Sequence, residues 1–246
     1  MDDDELLATM HAAATAIARV LDELADWGLA GTRPGQYRSD LAADAAAIAV
    51  LDAADLGVMS EESGPRHADR PVVVVLDPVD GSTNAAHGIP WFATSLCAVD
   101  ADGPRAAVVV NQASGVRFEA VRDGGARKDG AAITPSSCRS LKEAVVAFSG
   151  YPPQYLGWSQ FRVLGAAALD LCAVAEGVLD GYAVTGSSRL GSWDYLGAML
   201  VLREAGASLD DRDGAELVTL DHADRRRPVA AATPELLDEF SAALSQ

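Results

Sequence analysis

Asp77 and Asp80 stand three residues apart at the end of the run Val72-Val73-Val74-Val75-Leu76, and Pro78 stiffens the segment between them. Two carboxylates held this close repel each other unless a cation lies between them. Hard cations such as Mg²⁺ favour oxygen ligands, and the carbonyl of Val79, between the two acids, is well placed to be another. Taken alone, Asp77-Pro78-Val79-Asp80-Gly81 also reads as a strand followed by a turn. Glu61 and Glu62 lie just before the apolar run, in Ser60-Glu61-Glu62-Ser63-Gly64, and alone read as a solvated loop. Asp194, after Trp193, precedes an apolar helical stretch, where an Asp alone reads as an N-cap.

The elements that must position these acids can be read from periodicity. Glu5 to Trp27 carries apolar residues at helical spacing, and Ser39 or Asp40 could cap a second, Ala-rich helix running to about Ala54, after a Gly/Pro loop from Gly31 to Tyr37. The β-branched run 72–76 predicts a buried strand that stops at Asp77-Pro78, with a tight turn at Asp80-Gly81. Ser82 and Thr83 then suit the start of a helical turn. Three further strands, 92–99, 105–111 and 116–122, form an antiparallel meander closed by Lys128-Asp129-Gly130. A composition shift at 134–139 suggests two halves, 1–137 and 138–246. In the second, strands at 144–148, 161–164 and 181–184 alternate with helices from Gly165 to about Glu176 and from Tyr195 to Ala205, the last ending at Gly206.

Composition narrows the function classes. Asp plus Glu outnumber Lys plus Arg by 36 to 19, for a net charge of −17. Such a surface repels nucleic acid and anionic lipid, so neither is an expected partner. A phosphate substrate is not excluded, because bound divalent cations reverse the sign locally. Cys97, Cys138 and Cys172 are far apart and show no zinc spacing, which fits free thiols in a reducing compartment. Met1 is followed by Asp2-Asp3-Asp4-Glu5, the opposite of a basic leader, and no apolar run approaches a membrane span. The expectation is a soluble cytoplasmic protein.

In combination and in this order, the acidic segments resemble the inositol monophosphatase family of metal-dependent phosphatases. The first signature is Leu76-Asp77-Pro78-Val79-Asp80-Gly81-Ser82-Thr83-Asn84; the second is Trp193-Asp194-Tyr195-Leu196-Gly197, leading into Glu204-Ala205-Gly206. Ser60-Glu61-Glu62-Ser63 matches the family's acidic element, and the likeness covers nearly the whole chain.

The resemblance implies a layered α/β (α+β) sandwich of αβαβα architecture, with the site between the halves. It implies that Glu61, Asp77 and the Val79 carbonyl hold one Mg²⁺, and that Asp77, Asp80 and Asp194 share a second. Glu61 is the favoured base or water-positioning group, with Asp44 and Ser82 as the second candidate pair. Asp80, Gly81, Ser82 and Thr83 would face the phosphate, and Gly165, Ala166 and Ala167 the rest of the substrate. A homodimer is the family expectation.

Two departures bear on detail. Where the family often shows two acids six apart around a Thr, this chain has Asp40 and Asp44 without the Thr, and the loop before them lacks a lysine often found there. The Glu that inositol-specific members often carry seven residues before the Trp-Asp acid is Ser187 here, with Arg189 close by. Arg189 could pair with a second anionic group of the substrate, or be a solvent-facing loop residue. The leading expectation is a phosphatase for inositol monophosphate or a similar polyol phosphate. Histidinol phosphate, fructose 1,6-bisphosphate and 3′-phosphoadenosine 5′-phosphate share its chemistry, and a non-catalytic interaction protein is the alternative of another class.

Overall fold

The acidic start of the chain is a capping box. Asp2 accepts from the Glu5 amide at 2.9 Å, and Glu5 accepts from the Asp2 amide at 3.1 Å. It opens α1 (Asp3–Glu23), which buries Leu6, Met10, Ile17 and Leu21 on one stripe. This is a computed structural model, and it describes residues 1–152 and 154–245. Asp40 fixes the start of α2 (Arg38–Ala53) by accepting from the Tyr37 amide at 2.8 Å.

The first sheet follows: β1 (Gly57–Ser60), β2 (Gly64–Arg66), β3 (Val73–Asp80), then α3 (Ser82–Ala86), β4 (Ala93–Asp100), β5 (Gly103–Asn111), β6 (Arg117–Val121), β7 (Gly125–Lys128) and β8 (Ala131–Ala132). Its spatial order is β2-β1-β3-β4-β5-β6-β7-β8, antiparallel throughout except for the parallel pair β1 and β3. The second sheet is built from β9 (Val145–Ser149), β10 (Gln160–Arg162), β11 (Gly181–Val184), β12 (Ser208–Asp211) and β13 (Pro228–Ala231), in the order β10-β9-β11-β13-β12. Between its strands run α4 (Ala167–Ala175) and α5 (Ser192–Ala205), and α6 (Pro234–Leu244) closes the chain.

Strand alternation sorts these elements into five layers. Val74 and Leu76 of β3 and Val108 and Val110 of β5 face the α1/α2 layer with Leu6, Met10 and Leu51. Their neighbours Val73, Val75, Ala107 and Val109 face α4 and α5, together with Leu171, Met199 and Leu200. On the second sheet, Tyr182, Val184 and Ala230 point to this same middle layer, while Val146, Phe148, Val229 and Ala231 point outward to Leu236 and Phe240 of α6. Both faces of the first sheet are covered by helices, so β3 is a continuous apolar run rather than an alternating one. The architecture is the expected αβαβα sandwich.

Several elements differ from the sequence reading. β3 does not stop at Asp77-Pro78 but continues to Asp80, with a register irregularity against β4 between the two acids. The first helix of the later half starts at Ala167 rather than at Gly165, whose φ of +90° breaks the helical path, and α5 starts earlier, at Ser192. β1, β2, β12 and β13 were not expected because each is three or four residues long, too short for an alternating pattern. Among the described residues, no helix is long and apolar enough to cross a membrane.

Candidate active site

The irregularity at the end of β3 aims both acids to one side. Asp77 Oδ1 accepts from the Val79 amide at 3.0 Å, and the Pro78 carbonyl accepts from Thr94 Oγ1 at 2.8 Å, so the Asp-Pro-Val stretch folds over its own first carboxylate. Asp80 Oδ2 accepts from the Ala168 amide at 2.7 Å, which ties the strand to the first turn of α4. Asp194 lies in the first turn of α5 and accepts from the Gly191 amide at 2.7 Å. It therefore fulfils the capping role and the cluster role together. Asp77, Asp80 and Asp194 each present an oxygen within 4.8 Å of the others.

Glu61 follows β1, with its amide on the Leu76 carbonyl at 3.0 Å, and its carboxylate is buried beside the three aspartates. Burial, and then repulsion from Asp194 and other acids, raises Glu61 to about 8. Burial is also the largest cause for Asp80, raised to about 8, and for Asp194, raised to about 7 with Asp80 the next contributor. Asp77 is held well above the usual carboxylate range by burial and then by Glu61 and Asp80. Four acids that resist shedding protons together form a donor set in want of positive charge. Their hard anionic oxygens fit a hard divalent cation.

The acidic pair 61–62 divides its work. Glu62 accepts from Arg33 and Gln36 of the Gly/Pro loop, leaving Glu61 for the aspartates. Asp40, raised to about 6 chiefly by burial, lines the same cavity. Asp44 lies one turn further along α2 and accepts from Ser60 Oγ; among the described residues it makes no hydrogen bond to Ser82. That cavity, of about 310 Å³, is also lined by Ser82, Trp193, His222 and Arg225. A larger hollow of about 640 Å³ beside Tyr151, Tyr155 and Phe161 is apolar and contains none of the acids, so the chemistry belongs to the smaller one.

Gly81 and Gly165 bring the two expected substrate segments together. Gly81 has φ +84°, and a Cβ there would lie 3.0 Å from the Gly165 carbonyl and 3.1 Å from Ala166 Cβ. Asn84 donates to the carbonyls of Trp91 and Leu164, each at 2.7 Å, and so pins the segment that leads into Gly165, Ala166 and Ala167. Thr83 meets the Tyr37 hydroxyl at 3.3 Å. Arg189 is exposed, donates to the Ser188 carbonyl at 3.3 Å and does not line the cavity.

Sequence reasoning missed Arg33, Gln36 and His222 and gave Arg225 no part in the site. His222 Nε2 lies 3.1 Å from the Ser60 carbonyl, bringing a loop of the second half onto the segment that carries Glu61. The sequence gives no local signal for this contact, because 162 positions separate its partners.

Comparison with known proteins agrees with this geometry. The sequence pattern described as the inositol monophosphatase family matches residues 39–246. The Nus factor SuhB of Escherichia coli K12 is 33% identical over 208 residues, covering 77% of this chain and 76% of that protein. The inositol-1-monophosphatase of Mesorhizobium japonicum is 30% identical over 224 residues, covering 83% of each. The crystal structure of the extragenic suppressor protein suhB from Bartonella henselae superposes with a TM-score of 0.84 at 27% identity, covering 98% of this chain and 99% of that one.

Proposed function

The chain belongs to the inositol monophosphatase family, and from that premise we propose that it is a Mg²⁺-dependent phosphatase that hydrolyses a phosphate monoester of a small metabolite, with inositol monophosphate or a similar polyol phosphate as the leading substrate. The observation that carries the reading is the convergence of Asp77, Asp80 and Asp194 beside Glu61, from three separate elements, with Glu61 itself lining the cavity.

Asp77, Asp80, Asp194, Glu61 and the Val79 carbonyl would hold the metal. Bound there, Mg²⁺ supplies a water of lowered pKa and neutralises charge on the phosphoryl oxygens. Glu61, whose environment favours its protonated form without a cation, is suited to hold or accept a proton of the attacking water. Gly81 and Ser82 present amides and a hydroxyl where the phosphate would sit, and the Gly165–Ala167 segment packed on Gly81 borders the leaving group. Asp44 supports the site through Ser60, which favours Glu61 over the Asp44–Ser82 pair as the base. A non-catalytic interaction protein on the same fold has no need of four buried acids, and their retention favours turnover.

The test is phosphate release from a panel of monoesters, with and without Mg²⁺, for the wild type and for Asp80→Asn. Release that requires Mg²⁺ and collapses in the variant supports the reading. A folded wild type that turns over no ester in Mg²⁺ refutes it.

A further inference from the structure

Two cations reach the cavity, one from each half of the chain: Arg33 from the loop before α2 and Arg225 from the loop between β12 and β13. Arg33 is already neutralised, because it pairs with Glu62, whose side chain is only 4% exposed, and also donates to the Glu61 carbonyl. In the run Arg225-Arg226-Arg227, Arg226 pairs with Asp224 at 2.9 Å and Arg227 pairs with Asp213. Arg225 has no carboxylate partner among the described residues; its Nη1 donates only to the carbonyls of His222 at 2.9 Å and Asp224 at 2.8 Å.

Arg225 is nevertheless held in place. Its guanidinium carbon lies 4.9 Å from the centre of the Trp193 ring, and Trp193 is 4% exposed. Trp193 also packs against the His222 ring, 4.6 Å away between centroids, and His222 anchors on the Ser60 carbonyl. An arginine fixed by stacking and by two carbonyls, with donors to spare, loses little freedom when it takes an anion. Arg225 lines the same cavity as Glu61 and Ser82, so with the scissile phosphate beside those two it stands where the rest of the ester would lie.

We propose that Arg225 is a specificity-determining residue that receives a second anionic group, carboxylate or phosphate, on the leaving-group part of the substrate, an assignment that rests on the phosphatase reading. It shifts the leading substrate of that reading from neutral polyol phosphates such as inositol monophosphate to esters that carry a second anion. The role the sequence suggested for Arg189 thereby falls to a residue on a different loop.

Two matched ester pairs test it in Mg²⁺: fructose 1,6-bisphosphate against fructose 1-phosphate, and 3-phosphoglycerate against glycerol 3-phosphate. The first pair adds a phosphate and the second a carboxylate, so the favoured pair also identifies the anion. The wild type is expected to favour the anionic member of at least one pair. Arg225→Gln should raise KM for that member about tenfold to a hundredfold, the loss of a charge-assisted hydrogen bond, with kcat and the neutral member within about twofold. Arg225→Lys should recover part of the loss. Equal losses on both members, or no preference in the wild type, overturn the assignment. If the wild type hydrolyses none of the four, the wider ester panel decides the phosphatase reading, and calorimetric titration of the same four esters still decides Arg225. Selective weakening in Arg225→Gln supports its role, and unchanged affinity removes it.

Discussion

Asp170 is fully buried on α4, with Oδ1 on the Trp91 indole at 2.8 Å and Oδ2 without a partner among the described residues. Burial raises its pKa from 3.8 to about 7. Between those values the folded protein binds a proton that the unfolded chain has released, so this group's contribution to stability falls as pH rises across the window. Asp170→Asn keeps a carbonyl oxygen for Trp91 and cannot ionise. The difference in Tm, variant minus wild type, should therefore climb by several degrees from pH 4 to pH 7.5; a flat difference would show that Asp170 does not titrate there. Glu61 and Asp44 separate in another way. Glu61→Gln should lower kcat by about 10²- to 10⁴-fold with a small change in Tm. Asp44→Asn, which weakens the bond to Ser60, should lower stability by about 1–3 kcal/mol and leave the Mg²⁺ requirement in place. At this scale Asp77 and Asp80 could be paired from the sequence because they share one contiguous run, whereas Glu61 and Asp194 read alone as a loop acid and a cap and were joined to them only by the family resemblance. Asp40 and Asp44 were harder to tell apart: they are one turn apart on the same helix, and the contact that separates them, Ser60, comes from β1.

What positions Asp194 is the seating of α5 on the first sheet. Gly197 makes that approach possible: a Cβ there would lie 2.8 Å from Ser95 Oγ and 3.1 Å from the Leu96 carbonyl. Ser95 Oγ is itself buried without a hydrogen-bond partner among the described residues. Gly197→Ala should push α5 off β4, at a cost of about 1–3 kcal/mol for overpacking, and weaken Mg²⁺ binding through the displaced Asp194. Ser95→Ala in the same chain removes the crowded hydroxyl and should restore part of both; thermal melts and Mg²⁺ titrations of the single and double variants measure the coupling. The sequence carried this helix and the strands of the meander because each is long enough to show its period. It did not carry β1 or β13, whose places are set by pairing with β3 and β11 across the fold. The loop that brings in His222 and Arg225 has no period at all, so its arrival at the site is a property of the folded chain.

For the whole molecule, the site is also a stability device. The chain carries a net charge of −17, and its middle layer closes over four acids that burial and mutual repulsion drive toward protonation. The acids come from both parts of the sequence, while a continuous core of Val75, Val109, Tyr182 and Met199 joins the two sheets through α4 and α5. Unfolding should therefore be one cooperative transition, with tryptophan fluorescence and far-ultraviolet circular dichroism melting together. A cation that binds only the folded protein stabilises it by mass action, about 2.7 kcal/mol at a hundredfold excess over Kd. Mg²⁺ should thus raise Tm by several degrees over a sodium chloride control of equal ionic strength. Replacing Asp80 and Asp194 together by Asn removes both the ligands and the repulsion. That double variant should melt above the wild type in a chelator, yet show no Mg²⁺-dependent rise. An equal rise in both proteins would mean that Mg²⁺ acts by screening the surface charge, and that the buried cluster is not where it binds.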